Sequence, residues 1–167
     1  NSILRPLHYL KERRGIENSF VPAARRGRLC YERLEELLAQ KPQLVALTHE
    51  SNLTGNVADV ARVAEASHAA GALVLLDASQ TAGSFPIDAE PLGIDLLAFT
   101  GHKALMGPQG TGGRYVAPGV ELDPLLSGGT GVLSFEEGMP ESFPVDLEAG
   151  TLNGCGIAGL GAAVSYV

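Results

Sequence analysis

The chain has no tryptophan, and aromatic residues make up only 5% of it, yet 45% of its 167 residues are hydrophobic. Aliphatic side chains must therefore supply the core, and there are enough of them for one folded domain rather than a disordered tract. Positive charge is scarce as well: 12 Lys and Arg stand against 19 Asp and Glu, a net charge of -7. The Arg13-Arg14 and Arg25-Arg26 pairs are diluted by glutamates, so no basic footprint for nucleic acid is present and a small-molecule partner is expected. Cysteine is limited to Cys30 and Cys155, without CxxC or Cys/His spacing. That excludes a disulfide framework and a zinc site, and a reducing cytosol is the expected compartment. No apolar run reaches the roughly eighteen residues of a membrane helix. Nor does a charged leader precede a short apolar segment, so a soluble, cytoplasmic protein is expected.

What is present alternates between two periods. Cys30 to Gln40 places Leu34, Leu37 and Leu38 at helical spacing against Glu32, Arg33, Glu35 and Glu36, and Pro42 punctuates the segment. Val57 to Ala70 repeats that period through Val57, Val60, Ala61, Val63 and Ala64, with Gly71 as a stop signal. Between and after them lie short aliphatic runs that read as buried parallel strands: Leu44 to Leu47, Ala72 to Leu76 ending in Asp77, and Leu96 to Phe99 ending in Thr100. A further strand is read at Arg114 to Val116, after the Gly107 to Gly113 turn. That turn lacks the Lys-Ser/Thr ending of a nucleotide loop. Glu121 to Gly150 reads as a long functional loop. The apolar run from Ile157 to Val164 reads as an unfinished helix, and the first residue is Asn1. The expectation is a piece of a longer protein.

Strand–helix–strand units collect polar groups at strand carboxyl ends, where ligands gather in open α/β sheets. Three stretches carry such groups: Asp77-Ala78-Ser79-Gln80, Thr100-Gly101-His102-Lys103 and Glu148-Ala149-Gly150-Thr151. A lysine amine forms a Schiff base with an aldehyde cofactor, and an aspartate keeps a pyridine nitrogen protonated. Asp77 and Lys103 together therefore point to pyridoxal 5'-phosphate. Gln80 is placed to donate to the cofactor's phenolic oxygen, and Thr100 and His102 suit a phosphate dianion. Each residue alone has a plainer reading. Lys103 is then a solvated surface lysine, Asp77 a cap on the following turn, and Thr100 and His102 structural groups.

These stretches, with Ser51-Asn52-Leu53-Thr54-Gly55, Thr81-Ala82-Gly83, Gly128-Gly129-Thr130-Gly131 and Gly156-Ile157-Ala158-Gly159-Leu160, resemble the class V aminotransferase family over nearly the whole chain, in particular its cysteine desulfurase and selenocysteine lyase branch. The resemblance implies the large domain of a fold type I pyridoxal phosphate enzyme across residues 1–167, a three-layer α/β/α arrangement with a mixed, mostly parallel sheet flanked by helices. It implies that Lys103 carries the cofactor, Asp77 pairs with the pyridine nitrogen, Asn52 and Gln80 bind the phenolic oxygen, and Thr100 and His102 bind phosphate. Thr151 matches a position that reaches the phosphate of a neighbouring subunit, which implies a homodimer.

The implied reaction removes sulfur from cysteine, giving alanine and an enzyme persulfide, with a sulfur-acceptor protein as a further partner. The same pocket serves selenocysteine lysis, transamination and epimerisation, and a non-catalytic remnant of the fold would retain it too. By the resemblance, the ring-stacking histidine precedes the position of Asn1, while the nucleophilic cysteine and the carboxylate-binding arginine follow that of Val167. Neither Cys30 nor Cys155 is the nucleophile on this reading, and both are taken as structural. The chain alone is expected to turn over weakly or not at all.

Overall fold

Short aliphatic runs that each end in a polar residue form the sheet. The computed structural model describes residues 2–167. Strands β1 (Leu44–Thr48), β2 (Leu73–Asp77) and β3 (Leu96–Thr100) run parallel, and β4 (Gly112–Val116) lies antiparallel beside β3. Their spatial order, β1-β2-β3-β4, follows the chain. The sheet is mixed and mostly parallel, and helices flank it, as the family resemblance implies.

Two helices close one face. In α2 (Tyr31–Leu38), Leu34 and Leu38 are buried one turn apart while Glu32, Glu35 and Glu36 stay exposed. In α3 (Val60–Ala69), Val60, Val63, Ala64 and Ser67 form the buried stripe, at the spacing expected of an amphipathic helix. These stripes pack with Leu47, Val74, Leu76 and Leu97 into one core, in which Val74 and Leu76 are fully buried. Full burial of such a side chain contributes roughly 1.5–3 kcal/mol, so this face holds the sheet together. The alternate residues face the other way. Leu75 and Leu96 are half-buried there, and Leu44 and Leu73 are exposed. Asp77 shares that side with Leu73 and Leu75 by strand alternation.

The helix read from Val57 starts three residues later. Asp59 accepts a hydrogen bond from the Arg62 amide at 3.1 Å and caps α3. Val57 bridges Glu50 instead, and the Ala58 amide donates to the His49 carbonyl at 2.8 Å. An aspartate cap and two backbone pairings outcompete the apolar periodicity at that end. Helix α1 (Leu4–Arg14) has no counterpart in the reading above; none of its residues is buried. β2 and β3 are joined by turns without an intervening helix. Glu121 to Gly150 is irregular apart from a 3-10 turn at Val145–Leu147, and α4 spans Gly154–Tyr166. Among the described residues no helix is long and apolar enough to cross a membrane.

The β3–β4 pair depends on a close approach. Phe99 pairs with Gly113 across the strands, and a Cβ on Gly113 would lie 2.6 Å from the Phe99 ring. Any side chain there would displace the ring, which is why this strand opens on two glycines.

At the opposite end of the sheet from the polar strand ends, Asp95 ties the layers. Its Oδ2 accepts from the buried Val74 amide at 2.7 Å and pairs with Nε2 of His68, on α3, at 2.8 Å. Asp95→Ala strands that amide without a partner, which typically costs about 1–3 kcal/mol. A lowered thermal midpoint by circular dichroism is expected, largely restored by Asp95→Asn, which keeps an acceptor.

Candidate functional site

Parallel pairing brings the three polar strand ends to one edge. Thr48 registers with Asp77, and Asp77 with Ala98, two residues before Thr100. The ladder continues past the strands. The His49 amide donates to the Asp77 carbonyl at 2.9 Å, and the Ala78 amide to the Ala98 carbonyl at 2.8 Å. Ser79 completes the contact, its carbonyl lying 3.4 Å from Thr100 Oγ1.

Asp77 is half-buried, and its Oδ1 accepts from the Ser79 amide at 3.0 Å. The capping role considered for it is therefore realised by one oxygen. No hydrogen bond or ion pair to a described residue occupies Oδ2. Lys103 and His102 are exposed, and no described carboxylate pairs with Lys103. A carboxylate ending β2 and an ammonium in the loop that follows β3, each without an ionic partner among the described residues, suit a group that is basic at one end and carries an aldehyde at the other. The donor set therefore fits pyridoxal phosphate.

The Lys103 loop is stitched by backbone bonds. Gly101 donates to Thr111 at 2.8 Å, Gly107 to Gly101 at 2.7 Å and Met106 to Lys103 at 2.9 Å. Leu160 of α4 lies against Gly101 and Gly107. Met106 holds a left-handed φ of 58°, an uncommon conformation for a side chain of its size. The Asp77 and Lys103 loops meet at Gly83. Its φ is +93°, and a Cβ there would sit 2.8 Å from the backbone of Ala104 and Leu105. Only glycine permits both the turn and that approach.

Asn52 is exposed in the Ser51–Gly55 turn, which follows β1 at the same edge and is closed by the Gly55 amide on the Ser51 carbonyl at 2.8 Å. Gln80 is half-buried in the turn after Asp77. Thr151 is exposed between the 3-10 turn and α4, and no hydrogen bond joins it to the strand-end residues. Its approach is set by Arg114 of β4, which donates to the Leu147 carbonyl at 2.9 Å, and by the Gly150 amide on the Gly129 carbonyl at 2.7 Å. Cys30 is half-buried and Cys155 exposed, both as free thiols. Among the described residues no cluster of His, Cys, Asp and Glu could hold a metal. Two surface concavities lie along α1 at His8, Tyr9, Glu12 and Arg13 and beside Cys30, Tyr31 and Arg62.

His49 directly follows β1 at the same edge. It is buried, and its Nδ1 lies 2.8 Å from the Oγ1 of fully buried Thr81. Burial pushes its pKa below the ordinary 6.5, opposed by the nearby Glu50 charge. A folded value below the unfolded one means that the unfolded chain takes up the proton first. The stabilisation is therefore present above 6.5 and lost as pH falls from there through the folded value. Thermal midpoints are expected to decline from about pH 7.5 to about pH 5.5, and to decline less when the non-titrating His49→Asn replaces the imidazole. Equal slopes for the two proteins would show that another group titrates.

The class V aminotransferase family model matches residues 1–167. A probable cysteine desulfurase of Methanothermobacter thermautotrophicus is 41% identical over 158 residues, covering 92% of this chain and 40% of the relative. The structure of the cysteine desulfurase CsdA from Escherichia coli, in an S-sulfonic acid form, superposes with a TM-score of 0.86 at 34% identity, over 98% of this chain and 42% of that one. An apo cysteine desulfurase from Thermococcus onnurineus NA1 gives 0.80 at 29% identity, over 99% and 42%. The chain thus spans about 40% of the length of the curated relatives it matches.

Proposed function

The chain belongs to the class V aminotransferase family, and from that premise we propose that a complete protein carrying it is a pyridoxal phosphate-dependent cysteine desulfurase. The observation that carries this reading is that the turns after Asp77 abut, at Gly83, the backbone just past Lys103, while neither Asp77 nor Lys103 has an ionic partner among the described residues. The names of the similar proteins support the choice of cysteine as substrate.

When bound, the cofactor supplies an electron sink for the bonds around the substrate's α-carbon. With the cofactor bound, Lys103 would hold its aldehyde, and its amine would move protons at the substrate's α-carbon. Asp77 keeps the ring nitrogen protonated through its charge. Asn52 and Gln80 hold the phenolic oxygen. Thr100 and His102 bind the phosphate, joined by Thr151 from a second copy, so that the working unit is a homodimer. Sulfur leaves the substrate for a cysteine thiol, the C–S bond breaking as the S–S bond forms, and one cysteine becomes one alanine and one persulfide. A sulfur-acceptor protein then takes the persulfide sulfur.

Incubating the complete protein with L-cysteine and quantifying products tests this. Alanine and persulfide in equal amounts are expected. Turnover of selenocysteine alone, or amino transfer to a keto acid, would assign a different reaction to the same pocket.

A further inference from the structure

We infer that His49 is a positioning residue for the candidate cofactor site, holding the Ala78–Phe85 turns that set Asp77, Gln80 and the Lys103 loop; this rests on the proposed function. His49 meets the turns at two points. Its Nδ1 bonds Thr81 Oγ1 at 2.8 Å, and the edge of its ring meets Phe85, with ring centroids 5.7 Å apart and planes at 62°.

Thr81 is the hub of these turns. Its amide donates to the Ala78 carbonyl at 3.0 Å, and its own carbonyl accepts from the Ser84 and Phe85 amides, both at 2.9 Å. Through Ala78 the hub is tied to Asp77, and Gln80 is its immediate neighbour. Through Gly83 the same turns press on the backbone just after Lys103. The backbone of His49 works in the same direction, since its amide fixes the Asp77 carbonyl. One buried side chain therefore braces the segment that lies between the proposed ring-nitrogen partner and the proposed Schiff-base lysine. His49 need not touch the cofactor to do so. A neutral imidazole and a hydroxyl can satisfy each other with either one donating, so the bond demands a polar atom at the Nδ1 position rather than a charge.

Three variants of the complete protein test this by cofactor titration of the apo form, the visible band of the bound cofactor and thermal melting. His49→Leu removes the bond. His49→Asn places an amide atom at the Nδ1 position, and Val63→Ala loosens the core under α3, away from the strand ends. His49→Leu is expected to raise the dissociation constant for pyridoxal phosphate by about tenfold or more and to shift or weaken the band, as loss of a buried hydrogen bond would. His49→Asn is expected within about threefold of the wild type, and Val63→Ala to bind normally despite a lower midpoint. Should His49→Leu not fold, Thr81→Val compared with Thr81→Ser reads the same bond from its other end. Binding by the bond-deleting variant within about threefold of wild type overturns the inference, as does a conservative variant damaged equally. A wild-type protein that takes up no cofactor overturns the proposed function instead, and this inference with it.

Discussion

Lys103→Ala is expected to abolish the visible band of bound cofactor and to lower cysteine turnover in the complete protein by about a thousandfold or more, in the upper range for losing an essential proton-transfer group. The stability of the cofactor-free protein should hardly change. The Lys103 side chain is exposed and makes no ion pair among the described residues, while its loop is closed by backbone bonds at Gly101, Met106 and Gly107 that survive truncation. Surface substitutions of this kind usually stay within about 0.5 kcal/mol. Activity lost while the cofactor-free proteins melt at the same temperature separates a working amine from a solvated surface lysine. Lys103→Arg sharpens the test, because it keeps the charge but supplies no amine able to form a Schiff base.

The second large effect is expected at Asp77. Asn at this position keeps an oxygen for the Ser79 amide, so the cap on the turn survives, but the negative charge does not. If the carboxylate only caps, Asp77→Asn is close to silent. If it pairs with a buried cationic ring nitrogen, losing one partner costs about 3–5 kcal/mol. At about 1.4 kcal/mol per decade, that is a loss of about two to three and a half orders of magnitude in turnover. Measuring kcat together with the thermal midpoint decides between the two roles, since only the second leaves the fold intact and the chemistry disabled.

Much of this arrangement was legible in the sequence because it is local. Five-residue aliphatic runs ending in Thr48, Asp77 and Thr100 are strands in the structure, and their register alone brings the polar ends to one edge. Leu34 and Leu38 of α2 follow the helical period that burial requires. What was not legible depends on pairing at a distance or on the absence of packing. The early start read for α3 failed because Val57 and Ala58 pair with the Glu50 and His49 backbone, which periodicity cannot register. α1 buries none of its residues, so its few leucines give little pattern to read.

The His49–Thr81 bond joins residues 32 apart in the chain. Its one local signal was a histidine directly after an aliphatic run, a place where a buried polar side chain needs a partner. Gly83 was visible as part of a motif, but its contact with the Lys103 loop was not, since that contact crosses two strand ends. The candidate residues could be read as types and spacings. The way they are held could not.

The most direct measurement is borohydride reduction of the complete, cofactor-loaded protein followed by peptide mapping, which fixes the cofactor to the amine that carries it. The pyridoxyl group is expected on Lys103 and to be lost in Lys103→Ala. A label on any other lysine, Lys11 and Lys41 included, or no label on a protein that turns over cysteine, would contradict the placement of the cofactor between Asp77 and Lys103.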